Sequence, residues 1–319
     1  MVFRLSLAVT LAALSVTAVQ AKFDRDIPDT FSSMASCVDE PPTFSCENTA
    51  PINNACCSPR PGGLVLQTQF WSTWTGLERK GQLLPKKSWT IHGLWPDNCD
   101  GHIRSFEQYC DLSRQFDPTP SPAVLPDGTV VPAWKGPGVD TFVAQFGRQD
   151  LLDFSEISVF VCLTHFIVQK YWINQGAPNV DFWGHEHATC TSTFDVACYQ
   201  SYKKHQDVVN FFDAVVRAFH RYPTFSMLAS AGIVPSNETA YSLDSIQKAL
   251  VSQTGAIPFL GCQANGTVLT EVWYFSHVFG TEQFGTYKNV DSTTNSTCSK
   301  TAGIWYYERT KSSEREVRA

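Results

Sequence analysis

The chain has 319 residues, a formal net charge of −6 and 43% hydrophobic residues. That apolar share excludes wholesale disorder, and the acidic balance argues against tight, salt-sensitive binding to duplex phosphates. The cysteine count is eleven, which implies a disulfide framework and leaves one thiol without an internal partner.

In chain order, Met1 to Ala21 has Arg4, an apolar run from Leu5 to Val19 and small residues at Val19 and Ala21. This is the pattern of a secretory signal peptide cleaved before Lys22, so the chain is expected to be secreted and extracellular. No later segment reaches the roughly 20 apolar residues that span a bilayer, and no membrane partner is expected. Residues 22–63 form a Cys-, Pro- and Asn-rich entry segment, and Leu64 to Trp71 reads as a strand. Ser88 to Leu94 reads as another, closed by the turn residues Pro96-Asp97-Asn98. Pro118 to Pro137 reads as an extended surface loop, and Asp207 to Tyr222 as a helix with one apolar face. Ser242 is placed to cap a helix reaching about Ser252, and Ile257 to Cys262 pairs with Thr267 to Phe275 around Gly266. Strands and helices are segregated, which predicts an α+β domain with a central antiparallel sheet. No repeat or linker divides it, so a single domain over 22–308 is expected, with a charged disordered tail at 309–319. Nothing points to an oligomer, and a monomer is expected.

Two aromatic-flanked segments carry the candidate chemistry. His92 lies near the end of a strand within Trp89-Thr-Ile-His-Gly-Leu-Trp-Pro-Asp-Asn-Cys99. A strand there fixes the backbone while the adjoining loop leaves room for substrate. Phe182-Trp183-Gly184-His185-Glu186-His187-Ala188-Thr189-Cys190 gathers two imidazoles and a carboxylate. A zinc site on His185 and His187 lacks the i, i+4 spacing of helical zinc sites, there is no Cys-x-x-Cys pair, and neither metal nor cofactor is expected.

Together these two segments resemble the blocks of the ribonuclease T2 family, secreted acid ribonucleases of low base specificity, and most nearly its fungal members. The similarity extends through Leu66–Trp71, Tyr171–Gly176 and Asp207–Tyr222. The resemblance implies an endoribonuclease acting on single-stranded RNA by metal-independent transesterification, through 2′,3′-cyclic phosphates to 3′-phosphates. It makes His92 the general acid, His187 the general base, His185 a phosphate-binding residue and Glu186 a part of the transition-state network. Trp95 and Asp97, with Phe106, match a primary base site; Gln69, Asn174, Gln175 and Phe182 match a second. The implied disulfides are Cys37–Cys57, Cys46–Cys99, Cys56–Cys198, Cys110–Cys190 and Cys262–Cys298, with Cys162 left over. Sequons at Asn237, Asn265 and Asn295 suit glycosylation in a secretory pathway.

The chain departs from the family pattern twice. In the second block the family has a lysine and then a histidine four and five positions after its first histidine, whereas here His187 follows Glu186 directly. On a helix, positions i and i+2 point about 200° apart, so His185 and His187 cannot both face one phosphate if the segment stays helical. Ser155 to Gln169 is an apolar insertion that carries Cys162; it reads either as an extra element or as translated intron. The alternative function is therefore a catalytically impaired secreted homologue that binds RNA or a surface. A pocket shared by His92 and His187 is the feature the two-imidazole reading requires.

Overall fold

The computed structural model describes residues 43–47, 57–59, 62–99, 109, 111–146, 167–188, 203–283 and 285–314. The strands are β1 (Gly63–Phe70), β2 (Thr90–Asn98), β3 (Ala240–Tyr241), β4 (Phe259–Gln263), β5 (Val268–Phe279), β6 (Thr286–Val290) and β7 (Ile304–Trp305). The α-helices are α1 (Val139–Gln145), α2 (Ile167–Tyr171), α3 (Asn179–Ala188), α4 (Gln206–Arg221), α5 (Thr224–Ser230) and α6 (Leu243–Thr254). The fold is α+β, as the segregation of elements predicts. Among the described residues no helix is long and apolar enough to cross a membrane.

The sheet runs in the order β2-β1-β5-β7-β3, with β4 and β6 also pairing β5. The pairs are antiparallel except for β5 with β7. β1 is buried along nearly its whole length because it lies between β2 and β5 with core on both faces. Helices α1 to α4 pack Val143, Val168, Trp172, Trp183, Phe212 and Val215 against Val65, Ile91 and Val278 of the sheet. A second core joins Leu228 and Ile246 of α5 and α6 to Trp71, Trp89, Leu260 and Tyr306.

Local chemistry accounts for the helix boundaries. The Ser242 side chain accepts a hydrogen bond from the Ser245 N–H, capping α6, and Gly255 closes it in the left-handed conformation. α4 buries Val208, Phe211, Phe212, Val215 and Phe219 as its apolar period predicts, but Asp207, Asn210 and Asp213 are buried too, so more than the one expected face is enclosed.

Three sequence expectations need correction. β2 runs through Pro96 and Asp97 to Asn98, where turn chemistry was expected. It is the edge strand of the sheet, the position where proline is tolerated. The expected disordered tail is docked as far as Glu314. The Arg309 guanidinium stacks 3.9 Å from the Trp71 ring centroid and donates to the Ser72 and Pro85 carbonyls, and Ser313, fully buried, donates to Glu78 at 2.8 Å. The Pro118–Pro137 loop is likewise not wholly at the surface: Val131 lies in a small core with Tyr109 and Ala188, and Asp117 just before the loop is fully buried. Of the apolar insertion, residues 155–166 lie outside the described residues, while Val168 in α2 is fully buried in the core.

Candidate functional site

The register between β1 and β2 places His92. Thr68 pairs with Gly93 and Gln69 with Ile91, so His92 is the extra residue of a β-bulge. A bulge re-aims one side chain out of the pleat. The Thr68 hydroxyl holds the bulge by accepting from the Gly93 N–H at 2.9 Å, and the Trp172 indole donates to the His92 carbonyl at 2.9 Å. The imidazole stacks on Phe70 with centroids 3.8 Å apart and meets Trp95 edge-on at 4.6 Å.

Helix α3 presents its residues by the 3.6-residue period. Phe182, His185 and Glu186 stand at i, i+3 and i+4 and share the face toward β2. Trp183 and His187 stand at i and i+4 on a different face, toward α2 and α4, where the Trp183 indole donates to the Trp172 carbonyl at 2.9 Å. Gly184 lets α3 approach the preceding loop: a Cβ there would sit 2.7 Å from the Phe116 carbonyl oxygen.

Glu186 is the centre of the polar contacts. Its side chain is 2% exposed, with Oε1 3.6 Å from His92 Nε2, and Oε2 accepts from the Trp95 indole at 2.8 Å. Burial raises its pKa against the opposing pull of His92 and His185. Gly93 makes this approach possible, since a Cβ there would lie 2.0 Å from Glu186 Oε2. On its other edge, His92 Nδ1 is 3.4 Å from Glu271 Oε1 on β5.

His185 Nδ1 is hydrogen-bonded to Asp117 Oδ2 at 2.7 Å, and the Tyr109 hydroxyl donates to that same oxygen at 2.7 Å. Burial opposes the His185 charge, but the bond to Asp117 and the negative charges of Glu186 and Asp117 raise its pKa on balance. Asp117 is fully buried, which opposes ionisation, yet the bonds from His185, Tyr109 and the Thr119 N–H bring its pKa below the ordinary value.

His92, His185, Glu186 and Glu271 line one cleft of about 610 Å³, together with Phe70, Trp74, Asn174, Gln175, Phe182 and Trp273. A bulged imidazole, a second imidazole and a buried carboxylate thus face a space large enough for a nucleotide, with aromatic rings beside them.

The predicted site residues are not all brought together. His187 is not in the cleft: it is fully buried, with its ring 5.3 Å from Phe116 and 5.5 Å from Phe211. Its Nε2 is 3.8 Å from Asp207 Oδ2, and burial lowers its pKa to about 4. The physical reason is the helical period, since with the segment helical from Asn179 to Ala188 the turn that serves His185 aims His187 into the core. The pocket shared by His92 and His187 that the two-imidazole reading requires is therefore not formed, and His187 does not occupy the expected general-base position. Gln69 is also displaced from its expected base-binding place. It is fully buried in the sheet, where its amide donates to Gln67 Oε1 and the Tyr222 carbonyl and its oxygen accepts from Thr224. Trp95 touches Glu186 instead of lining the cleft, and Asp97 is buried with a carboxylate oxygen accepting from the Asn98 N–H. Asn174, Gln175 and Phe182 do line the cleft, whereas Phe106 lies outside the described residues.

Of the expected disulfides, Cys46–Cys99 and Cys262–Cys298 are formed. Cys57 is disulfide-bonded, while Cys37, Cys56, Cys110, Cys162, Cys190 and Cys198 lie outside the described residues. The side chains of Asn237, Asn265 and Asn295 are exposed. Sequence reasoning missed Tyr109, Asp117 and Glu271. The one available signal was Glu271, a carboxylate interrupting the apolar strand Val268-Leu-Thr-Glu-Val-Trp-Tyr-Phe275.

The chain is thus an α+β protein whose cleft pairs imidazoles with a buried carboxylate beside aromatic rings. Residues 62–298 match the ribonuclease T2 family. The chain is 34% identical over 267 residues to Ribonuclease T2 of Aspergillus oryzae, covering 82% of this chain and 80% of that one. It is 37% identical to Ribonuclease Trv of Hypocrea rufa, covering 76% and 86%. It spans 61% of the longer Ribonuclease T2-like 1-A of Candida albicans, at 33% identity over 91% of this chain. Among solved structures, Actibind, a T2 ribonuclease, superposes with a TM-score of 0.65 at 30% identity over 84% of this chain and 95% of that one. The chain belongs to the ribonuclease T2 family, a family of endoribonucleases.

Proposed function

We propose that this chain is a secreted ribonuclease that cleaves single-stranded RNA by transesterification. RNA supplies its own nucleophile: the 2′-oxygen attacks the adjacent phosphorus, the bond to the 5′-oxygen breaks, and a 2′,3′-cyclic phosphate results. Water then opens that ring to a 3′-phosphate. The step needs a base for the 2′-hydroxyl proton, an acid for the leaving oxygen and polar groups around the phosphorane, and imidazoles near their ordinary pKa serve the first two. The observation that carries this reading is the convergence of His92, Glu186 and His185 on one cleft. In this reading His92 protonates the leaving oxygen, Glu186 orients it and supports the charge, and His185 supplies the second imidazole in the place expected of His187.

Stacking against Phe70 and Phe182 gives affinity for any base, because every base has a π-face; this supports low base preference. Export is supported by the Met1–Ala21 pattern and by the disulfides Cys46–Cys99 and Cys262–Cys298. The exposed Asn237, Asn265 and Asn295 suit glycosylation.

A second reading has its own support. The fully buried His187 and the absent lysine favour a catalytically impaired homologue that retains the cleft for binding RNA. Losing one transition-state charge contact typically costs ~10²–10³ in rate. The deciding assay measures turnover of single-stranded RNA across roughly pH 4 to 7, the range over which imidazoles pass from charged to neutral, with chelator present. The chain is compared with His92→Ala and with a variant carrying three residues, the last a lysine, between Glu186 and His187. Turnover that is lost in His92→Ala supports the enzyme. Turnover only in the insertion variant supports the impaired homologue, and loss of turnover on chelation overturns the metal-free step.

A further inference from the structure

The geometry points to Asp117 as a positioning residue that makes His185 the second proton-transfer group of the cleft. This inference rests on the ribonuclease reading and names a residue for it outside both aromatic-flanked segments.

The Asp117 side chain is fixed from several directions. Its Oδ1 accepts from the Thr119 N–H at 2.8 Å and its Oδ2 from the Tyr109 hydroxyl at 2.7 Å. Its backbone is held as well, the N–H donating to Gln115 Oε1 at 3.0 Å and the carbonyl accepting from the Trp134 N–H at 2.9 Å. With no solvent exposure the carboxylate cannot turn to water. The bare Cα of Gly184 admits this loop against α3 and brings Oδ2 to His185 Nδ1.

A carboxylate only accepts, so the 2.7 Å contact fixes the proton of neutral His185 on Nδ1. Nε2 then carries the lone pair, on the far edge of a ring that lines the cleft. A buried carboxylate behind an imidazole sets the tautomer and stabilises the imidazolium formed when the ring takes a proton. In the cleavage step Nε2 takes the 2′-hydroxyl proton as the bond from the 2′-oxygen to phosphorus forms. The phosphorus–5′-oxygen bond breaks and His92 gives its proton to that oxygen. Opening of the cyclic phosphate reverses both transfers, with water in place of the leaving hydroxyl. The charged and titratable groups around His185 are Asp117, Tyr109 and Glu186, with Asp181 four residues back on α3 and His92 and Glu271 lining the same cleft.

The test pairs two variants with two readouts. One is the pH profile of kcat and KM on single-stranded RNA; the other is the nitrogen-15 titration of the His185 ring in the free protein, assigned with His185→Asn. Asp117→Asn is expected to lower the His185 midpoint and to move the acid limb of kcat/KM, which reports the free enzyme, down in pH by the same amount. It should reduce kcat on the order of 10²-fold, within the range of a general base, with little change in KM. Tyr109→Phe keeps the carboxylate but removes its competing donor, so midpoint and limb should both move up, and this variant keeps the test open if Asp117→Asn fails to fold. A His185 midpoint that stays put in every folded variant, or an acid limb that does not follow the midpoint, overturns the assignment of Asp117. A wild-type chain with no turnover overturns the ribonuclease reading itself, a result distinct from an active enzyme whose limb ignores Asp117.

Discussion

His185 and His187 are separated by one residue on the same helix and live in opposite electrostatic worlds. The first lies at the cleft with a carboxylate at 2.7 Å, and its pKa is raised although burial opposes the charge. The second is sealed against Phe116 and Phe211, with Asp207 at 3.8 Å, and burial depresses its pKa to about 4. The difference is the rotation of about 200° that two residues make on a helix. Each ring has a carboxylate nearby, so the chemistry of this His-x-His segment is decided by which ring the helix turns to the cleft and to a hydrogen-bonded carboxylate and which it seals in the core. Nearness in sequence to a functional block does not give a side chain its role.

The sharpest way to break this comparison is to remove each ring in turn. His92→Ala should cost on the order of 10³-fold in kcat, and His185→Asn on the order of 10²-fold, as expected for lost general acid–base groups. His187→Leu should change kcat less than about threefold, because a ring packed in the core contributes no proton transfer. Steady-state kinetics on one short RNA checks all three; a larger loss for His187→Leu than for His185→Asn would invert the assignment. Gly93→Ala probes the same cleft without touching a titrating group. Its Cβ would collide with Glu186 Oε2 at 2.0 Å and with the Trp95 indole nitrogen at 2.5 Å, so Glu186 must move away from His92. A displacement of that order costs about 10²-fold in rate with folding largely kept, and circular dichroism beside the kinetics separates the two effects.

The pH dependence of stability tests the buried member of the pair. In the unfolded chain the His187 imidazole titrates near 6.5, and in the folded chain near 4. Between those values the unfolded state binds the extra proton, so acidification from about pH 6.5 to 4 favours unfolding. The contribution is fully present above that window and amounts to on the order of 3 kcal/mol across it. His187→Leu should flatten this part of the profile, measured as urea midpoints at the two ends. His185 has the opposite sign: its raised pKa contributes stability in acid that is lost as pH rises through the folded value. Equal slopes for wild type and His187→Leu would place the destabilising proton elsewhere.

Much of the scaffold was legible because local chemistry decides it. Ser242 caps α6, the apolar residues of α4 are buried, and the strands around Gly266 pair antiparallel. The failure of His185 and His187 to share a face was also readable, since it follows from spacing alone. Pro96 and Asp97 were misread because only the sheet order shows that β2 is an edge, where proline is tolerated. Asp117 and Gln69 were beyond sequence reasoning for a common reason. Each is a polar residue whose partners come from far along the chain, His185 for one, Tyr222 and Thr224 for the other. Nothing local distinguishes a buried, satisfied polar group from a solvated one. The docking of Arg309 on Trp71 was hidden in the same way behind a charged terminal composition.

Among the residues that touch the cleft or its carboxylate, the smallest loss is expected of Trp95→Phe, and it separates a base-stacking role from the one its geometry supports. The indole donates to Glu186 Oε2 at 2.8 Å and packs edge-on against Trp273 at 5.4 Å. Phenylalanine keeps much of the apolar contact and deletes the donor, leaving a carboxylate only 2% exposed with one fewer hydrogen bond. A bond to a charged group contributes about 1.5 kcal/mol, roughly tenfold in rate if it is fully expressed in the transition state. Burial already raises the Glu186 pKa, and losing the donor raises it further, so any limb of the pH profile belonging to this carboxylate moves up. Base stacking predicts instead a rise in KM that depends on the nucleobase, with the limbs unmoved. Comparing Trp95→Phe on short RNAs that differ in one base therefore assigns Trp95 either to Glu186 or to the substrate.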